Sequence, residues 1–152
     1  MKTLIDAFEK KGLKLASVES FTGGLFASEI TSIAGASKVF IGSLVTYDTQ
    51  VKIKQLGVSK NLIESRGVIS DTCAKEMARQ GLNYFNCDVV VSFTGNAGPS
   101  VLENKEVGLW YGAIATKDKL VCFENHSLKS RNELRQEAVD IMLEHLKKEI
   151  LG

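Results

Sequence analysis

Residues 88–93 read DVVVSF, a nearly continuous apolar run. A strand wetted on one side alternates apolar with polar residues, whereas a strand covered on both faces has no need to. This stretch therefore predicts the middle strand of a sheet with helices on both sides. Downstream, a turn-rich TGNAGPSVLENKE (94–106) leads into VGLWYGAIAT (107–116) and LVCFENHSL (120–128), separated only by Lys117, Asp118 and Lys119. That link is of hairpin length. Upstream, LKLASV (13–18) and KVFIGSLVTY (38–47) predict two further strands, the second ending near Tyr47.

Helical periods fill the gaps between these strands. Leu4, Ile5 and Phe8 are spaced for one helix face, and Gly12 stands where a helix stops. Leu25, Phe26, Ile30 and Ile33 resume that period after a Gly pair. Asp48 or Thr49 can cap QVKIKQLGV (50–58), and Ser59 and Ser70 can cap KNLIESRG (60–67) and DTCAKEMARQGLNYFN (71–86). The last segment, 131–151, aligns Leu134, Ala138, Ile141, Met142 and Leu146 along one stripe. The expected order is αβαβααβββα, an α/β sandwich around a mixed, roughly five-stranded sheet.

A chain of 152 residues has room for one compact domain, so 1–152 is read as a single unit. A formal charge of +1 offers no electrostatic reason to expect nucleic acid, and a small-molecule partner is expected instead. Charges interrupt MKTLIDAFEKKGLKL every few residues, which excludes a secretory h-region or a membrane span there and points to the cytoplasm. Cys73, Cys87 and Cys122 form no CxxC or Cys/His pattern and read as structural thiols. His126 and His145, the only histidines, lack a third ligand partner, so no metal site is expected.

In open α/β sheets ligands gather beyond the carboxyl ends of strands. That places ESFTGG (19–24), YDTQVK (47–52) and TGNAGP (94–99) on one rim. Ser20 can be either a helix cap or a nucleophile beside the amides of Thr22, Gly23 and Gly24, which could hold an oxyanion. A hydroxyl committed to capping is poorly placed to attack, and the expectation is that Thr22 is the cap. Neither a G-x-S-x-G elbow nor an S-x-x-K surrounds Ser20. With no promising histidine, its base has to be a lysine or tyrosine, and Tyr47 and Lys52 both lie where they can point into the rim. Each also has a plain reading, as a strand-end aromatic and an exposed helix lysine. Thr94 and Gly95 open a small-residue loop suited to close approach of a ligand. Arg131, at the start of the last helix, can grip a phosphate with two prongs or simply face solvent.

Taken together, these segments resemble one family. ESFTGGLFASEIT is similar to the E-S-C-T-G-G-L-x-A-x-x-x-T motif of the CinA C-terminal domain family, which includes competence/damage-inducible CinA proteins and stand-alone PncC-type nicotinamide-nucleotide amidases. GSLVTYDTQVKIKQLGV resembles its G-x-x-x-x-Y-x-x-x-x-K-x-x-x-L-G-V, GVISDTCAKEMARQG its G-x-V-S-x-x-x-A-x-x-M-A-x-G, and TGNAGP followed by EVGLWYGAIA its T-G-I-A-G-P and P-V-G-x-V-x-x-A.

The resemblance implies a three-layer α/β/α fold, a homo-oligomer, no cofactor, and hydrolysis of the carboxamide of nicotinamide mononucleotide to nicotinate mononucleotide and ammonia. It implies Ser20 as nucleophile, Tyr47 and Lys52 as its assistants, and Thr22, Gly23, Gly24, Thr94, Gly95 and Arg131 as substrate contacts. Phe21 stands where the family has Cys, Asn96 where it has Ile, and SVLENKEVG (100–108) replaces a glycine-rich stretch. A non-catalytic pyridine-nucleotide-binding module, or an interaction protein associated with competence or repair, is the alternative.

Overall fold

The computed structural model describes residues 1–152. Its elements are α1 (Lys2–Lys11), β1 (Leu15–Glu19), α2 (Leu25–Thr31), a single 3-10 turn (Ala36–Lys38), β2 (Phe40–Val45), α3 (Thr49–Val51) running into a π-helical turn (Lys52–Leu56), α4 (Lys60–Arg66), α5 (Asp71–Phe85), β3 (Val89–Gly95), β4 (Leu109–Thr116), β5 (Leu120–His126) and α6 (Arg131–Leu151). The sheet order is β2-β1-β3-β4-β5. β1 runs parallel to β2 and β3, while β3–β4 and β4–β5 are antiparallel.

The strand expected in the middle is in the middle. Val89 through Thr94 are all buried, because α-helical layers cover both faces of β3. On one face α1, α2 and α6 pack Leu4, Phe8, Phe26, Leu134 and Met142 against Val91, Phe93 and Trp110. On the other, α5 and the π-helical turn pack Cys73, Met77 and Leu56 against Val18, Val90 and Ala113. The architecture is therefore a three-layer α/β/α sandwich with a mixed five-stranded sheet.

Capping chemistry explains most helix boundaries. Gly12 takes the left-handed conformation and its amide closes on Glu9 and Phe8. The side chains of Asp48, Ser59 and Ser70 accept from Gln50, Leu62 and Cys73 amides, as residues of these types do at N-caps. The three capped segments 50–58, 60–67 and 71–86 all form between β2 and β3, one more than the order αβαβααβββα counts, and the 3-10 turn before β2 is an addition. Along α6, Ile141 is only partly buried, and Val139, Leu143 and Ile150 join the buried stripe.

One expectation is overturned at the turn after β1. Thr22 does not cap α2: the N-cap position is Gly24, with no side-chain cap, and the Thr22 hydroxyl donates to Glu19 Oε1 at 2.8 Å. The orphan amides are taken by the Glu19 carboxylate, which accepts from Gly24 and Phe26 on Oε1 and from Ala27 on Oε2, each at 3.1 Å. A longer side chain from the strand end reaches forward to donors that a threonine in the turn does not meet.

Candidate active site

Because β1, β2 and β3 are mutually aligned, their carboxyl ends open on one rim. There Ser20, Phe21, Tyr47, Thr49, Lys52, Val68, Ile69, Thr94, Gly95, Leu102 and Arg131 line a cavity of 140 Å³. Larger hollows elsewhere on the surface are lined by edge-strand and hairpin residues without this chemistry.

Lys52 is the unusual member. It is 1% exposed, and its Nζ lies 3.0 Å from Ser20 Oγ, 2.6 Å from the Thr46 carbonyl and 3.3 Å from the Tyr47 carbonyl. The π-helical turn that starts at Lys52 sends it inward rather than to solvent. Burial holds its pKa below the usual lysine value, against the opposing pull of Cys73, Asp48 and Glu103. Cys73 is buried beside it with its thiol pushed up to about 11, so it is not poised as a nucleophile.

Ser20 is freed from capping by Glu19. It follows β1 directly, is 8% exposed, and its only side-chain partner is Lys52. Tyr47 is 61% exposed, and its hydroxyl accepts from Arg131 at 3.1 Å instead of meeting Ser20. Arg131 also donates to the Gly98 carbonyl at 2.6 Å. Thr94 donates its hydroxyl to the Val68 carbonyl at 2.6 Å, so it ties the cavity wall together.

Two of the amides expected for a substrate are already engaged. Gly23 donates to the Ser20 carbonyl at 3.0 Å, and Gly24 donates to Glu19. The Asn96 side chain accepts from the Gly98 amide at 3.0 Å, inside the 94–99 loop.

The bulky 100–108 segment forms a wall. The Glu103 carboxylate accepts from the Val68 and Ile69 amides at 2.9 and 3.0 Å, Lys105 donates to the Ile69 carbonyl, and Leu102 lines the cavity. Sequence reasoning missed Glu19, Glu103 and Leu102 as site-shaping residues. Only Glu19 carried a signal, as an acidic residue at a strand end ahead of a helix that lacks a good cap.

No group of three or more His, Cys, Asp or Glu side chains could hold a metal ion. No helix is long and apolar enough to cross a membrane.

Comparison with known proteins places these features in context. Residues 1–150 match the family described as the CinA C-terminal domain. Provisionally named competence-damage inducible proteins of Caldicellulosiruptor saccharolyticus and Bacillus cereus are each 37% identical, over 152 and 147 residues. The chain spans 37% and 36% of the length of these relatives, and they cover 99% and 96% of it. Among solved structures, the competence/damage inducible protein CihA of Agrobacterium tumefaciens matches with TM-score 0.89 at 32% identity, covering 95% of this chain and 92% of its own. A CinA superfamily protein of Klebsiella pneumoniae matches with TM-score 0.95 at 20% identity, covering 99% and 94%, which speaks to the fold alone.

Proposed function

From the premise that the chain belongs to the CinA C-terminal domain family, we propose that it is an amidohydrolase that cleaves the carboxamide of a pyridine mononucleotide through Ser20. The observation that carries this reading is the 3.0 Å approach of Ser20 Oγ to a buried Lys52 whose pKa is lowered. A neutral amine offers two N–H donors and one lone pair. The Thr46 and Tyr47 carbonyls take the donors, which leaves the lone pair for the serine proton.

Ser20 Oγ attacks the amide carbon while its proton passes to Lys52. Collapse of the tetrahedral intermediate breaks the C–N bond, and Lys52 returns that proton to the departing nitrogen, releasing ammonia. Water then attacks the acyl ester with its proton passing to Lys52, the acyl C–Oγ bond breaks, and Lys52 returns that proton to Ser20 Oγ as the acid leaves. No metal is needed in this sequence.

A cavity of 140 Å³ suits the carboxamide and part of its ring, not a whole nucleotide. The ribose and phosphate would extend past exposed Tyr47 toward Arg131, whose guanidinium has donors beyond the two in use. The feature that favours the second reading, a pyridine-nucleotide binder without turnover, is the bulky Leu102 on the cavity wall, in the segment where the family has a glycine-rich stretch.

Ammonia release from nicotinamide mononucleotide separates the two. The expected result is turnover by the wild type and loss of at least a thousandfold in Ser20→Ala with its Tm preserved. Measurable binding with no ammonia from the wild type sinks the enzyme, and turnover retained by Ser20→Ala removes the serine from its role.

A further inference from the structure

We infer that Arg135 is a positioning residue for the oxyanion-binding peptides of this site, which are the amides of Phe21 and Thr22; the inference rests on the serine amidase reading. Arg135 lies one turn along α6 from Arg131, on the same helix face. Its guanidinium does not reach the cavity. Instead Nε donates to the Phe21 carbonyl at 2.9 Å and a terminal nitrogen donates to the Thr22 carbonyl at 3.1 Å, while the other terminal nitrogen meets Asn132 Oδ1 at 3.2 Å.

The consequence follows from peptide planarity. In a trans peptide the carbonyl and the following N–H point in opposite directions. Holding the Phe21 carbonyl therefore turns the Thr22 N–H away from Arg135. Likewise the Gly23 amide holds the Ser20 carbonyl, which turns the Phe21 N–H away from that contact. These two successive amides donate to no group in the chain, although Thr22 is fully buried and Phe21 is 5% exposed. The amides just beyond them are consumed, Gly23 by Ser20 and Gly24 by Glu19. Successive N–H groups of this kind form an anion-binding nest, and they belong to the residues directly after the nucleophile.

A tetrahedral oxyanion gains only from donors already aimed at it, since reorienting them during reaction costs part of the benefit. Arg135 supplies that aim for the Thr22 N–H from behind, through the Phe21 carbonyl, and its hold on the Thr22 carbonyl steadies the next peptide of the same turn, without touching substrate. A rigid planar fork fixes two carbonyls in one set geometry, which the freely rotating ammonium of a lysine does not.

The test uses a fluorophosphonate, which phosphonylates an activated serine through an oxyanion-like transition state and needs no natural substrate. Wild type, Arg135→Lys and Arg135→Gln are compared for the rate of Ser20 modification, for kcat and KM in ammonia release, and for Tm. The expected result is slower modification and lower kcat in Arg135→Gln, each by about a hundredfold with KM within threefold, and partial recovery in Arg135→Lys. Modification and kcat unchanged in Arg135→Gln overturn the inference, as does a loss that appears wholly in KM. If Arg135→Gln fails to fold, Arg135→Lys carries the comparison by the same criteria. Wild type that is modified at Ser20 but releases no ammonia from the mononucleotide removes the substrate assignment and leaves the inference standing on the modification rates. Wild type that is not modified at all sinks both.

Discussion

At the scale of single residues, two buried ionisable groups with opposite demands set up the site. Glu19 is fully buried and has only amides and hydroxyls for partners: Gly24, Phe26 and Ala27 N–H groups and the Ser17, Thr22 and Ser43 hydroxyls. Hydrogen bonds of 2.8–3.1 Å to the carboxylate make up for its lost hydration, and replacing it by an amide leaves those donors facing a weaker acceptor. Glu19→Gln is expected to cost about 2–3 kcal/mol, a Tm drop of roughly 5–10 °C for a domain of this size. A Tm within 2 °C of wild type in differential scanning calorimetry denies Glu19 this role.

Lys52 has the reverse requirement, since burial favours its neutral form. In the proposed mechanism its working form is the deprotonated one, so kcat/KM is expected to rise with pH and level off at an inflection below 10.5, the ordinary lysine value. Folding follows the same sign: the unfolded chain holds the proton more tightly, so this group costs stability below its folded pKa and releases that cost as pH climbs toward 10.5. A kcat/KM profile with no rising limb anywhere below pH 10.5 takes Lys52 out of the base role. The sequence names Lys52 as a candidate base, but the burial and partners of neither residue are legible there. Glu19 acts across seven and eight positions, outside any local capping pattern, and Lys52 in a regular helix reads as readily exposed as its neighbour Lys54.

At the scale of elements, the central strand β3 was legible because burial on both faces leaves a continuous apolar run, and the loops on its rim followed from topology. The π-helical turn was not legible, because its hydrogen bonds differ from those of an α-helix by one residue while its apolar spacing does not announce the difference. The 100–108 segment was recognised as bulky and charged, yet its anchorage lies in tertiary contacts. At its far end Glu106 bonds His126 Nδ1 on β5, and His126 Nε2 meets Glu124 at 3.1 Å. The bond to Glu124, with Glu106 adding to it, raises the His126 pKa above 6.5.

A raised histidine stabilises fully below its unfolded pKa and loses that contribution as pH rises through the folded pKa. The Tm gap between wild type and His126→Ala is therefore expected at pH 5.5 and is expected to close by pH 9. Both partners are exposed, so the gap is small, and salt narrows it. A gap that stays constant across this range shows that the ring contributes packing and not charge.

At the scale of the whole molecule, two glycines set how closely the helical layers approach the sheet, one on each face. A Cβ on Gly81 in α5 would stand 2.8 Å from methyl carbons of Val18 and Val90, and a Cβ on Gly112 in β4 would stand 2.3 Å from the Met142 sulfur in α6. Gly81→Ala sets a helix-propensity gain of about 1 kcal/mol against overpacking of about 1–3 kcal/mol. Val18 and Val90 belong to the two buried inner strands and have nowhere to go, so overpacking wins and Tm falls. Activity should hold, because α5 itself lends no side chain to the cavity. Gly112→Ala presses on the helix that carries Arg131 and Arg135, so it should lower Tm and also reduce kcat per folded molecule by about tenfold. Met142 is fully buried, and trimming it in the double variant Gly112→Ala, Met142→Ala makes room for the new methyl and should recover part of the kcat loss. Equal kcat in Gly81→Ala and Gly112→Ala, with both folded, separates the site from the packing of α6 and removes the mechanical link between them.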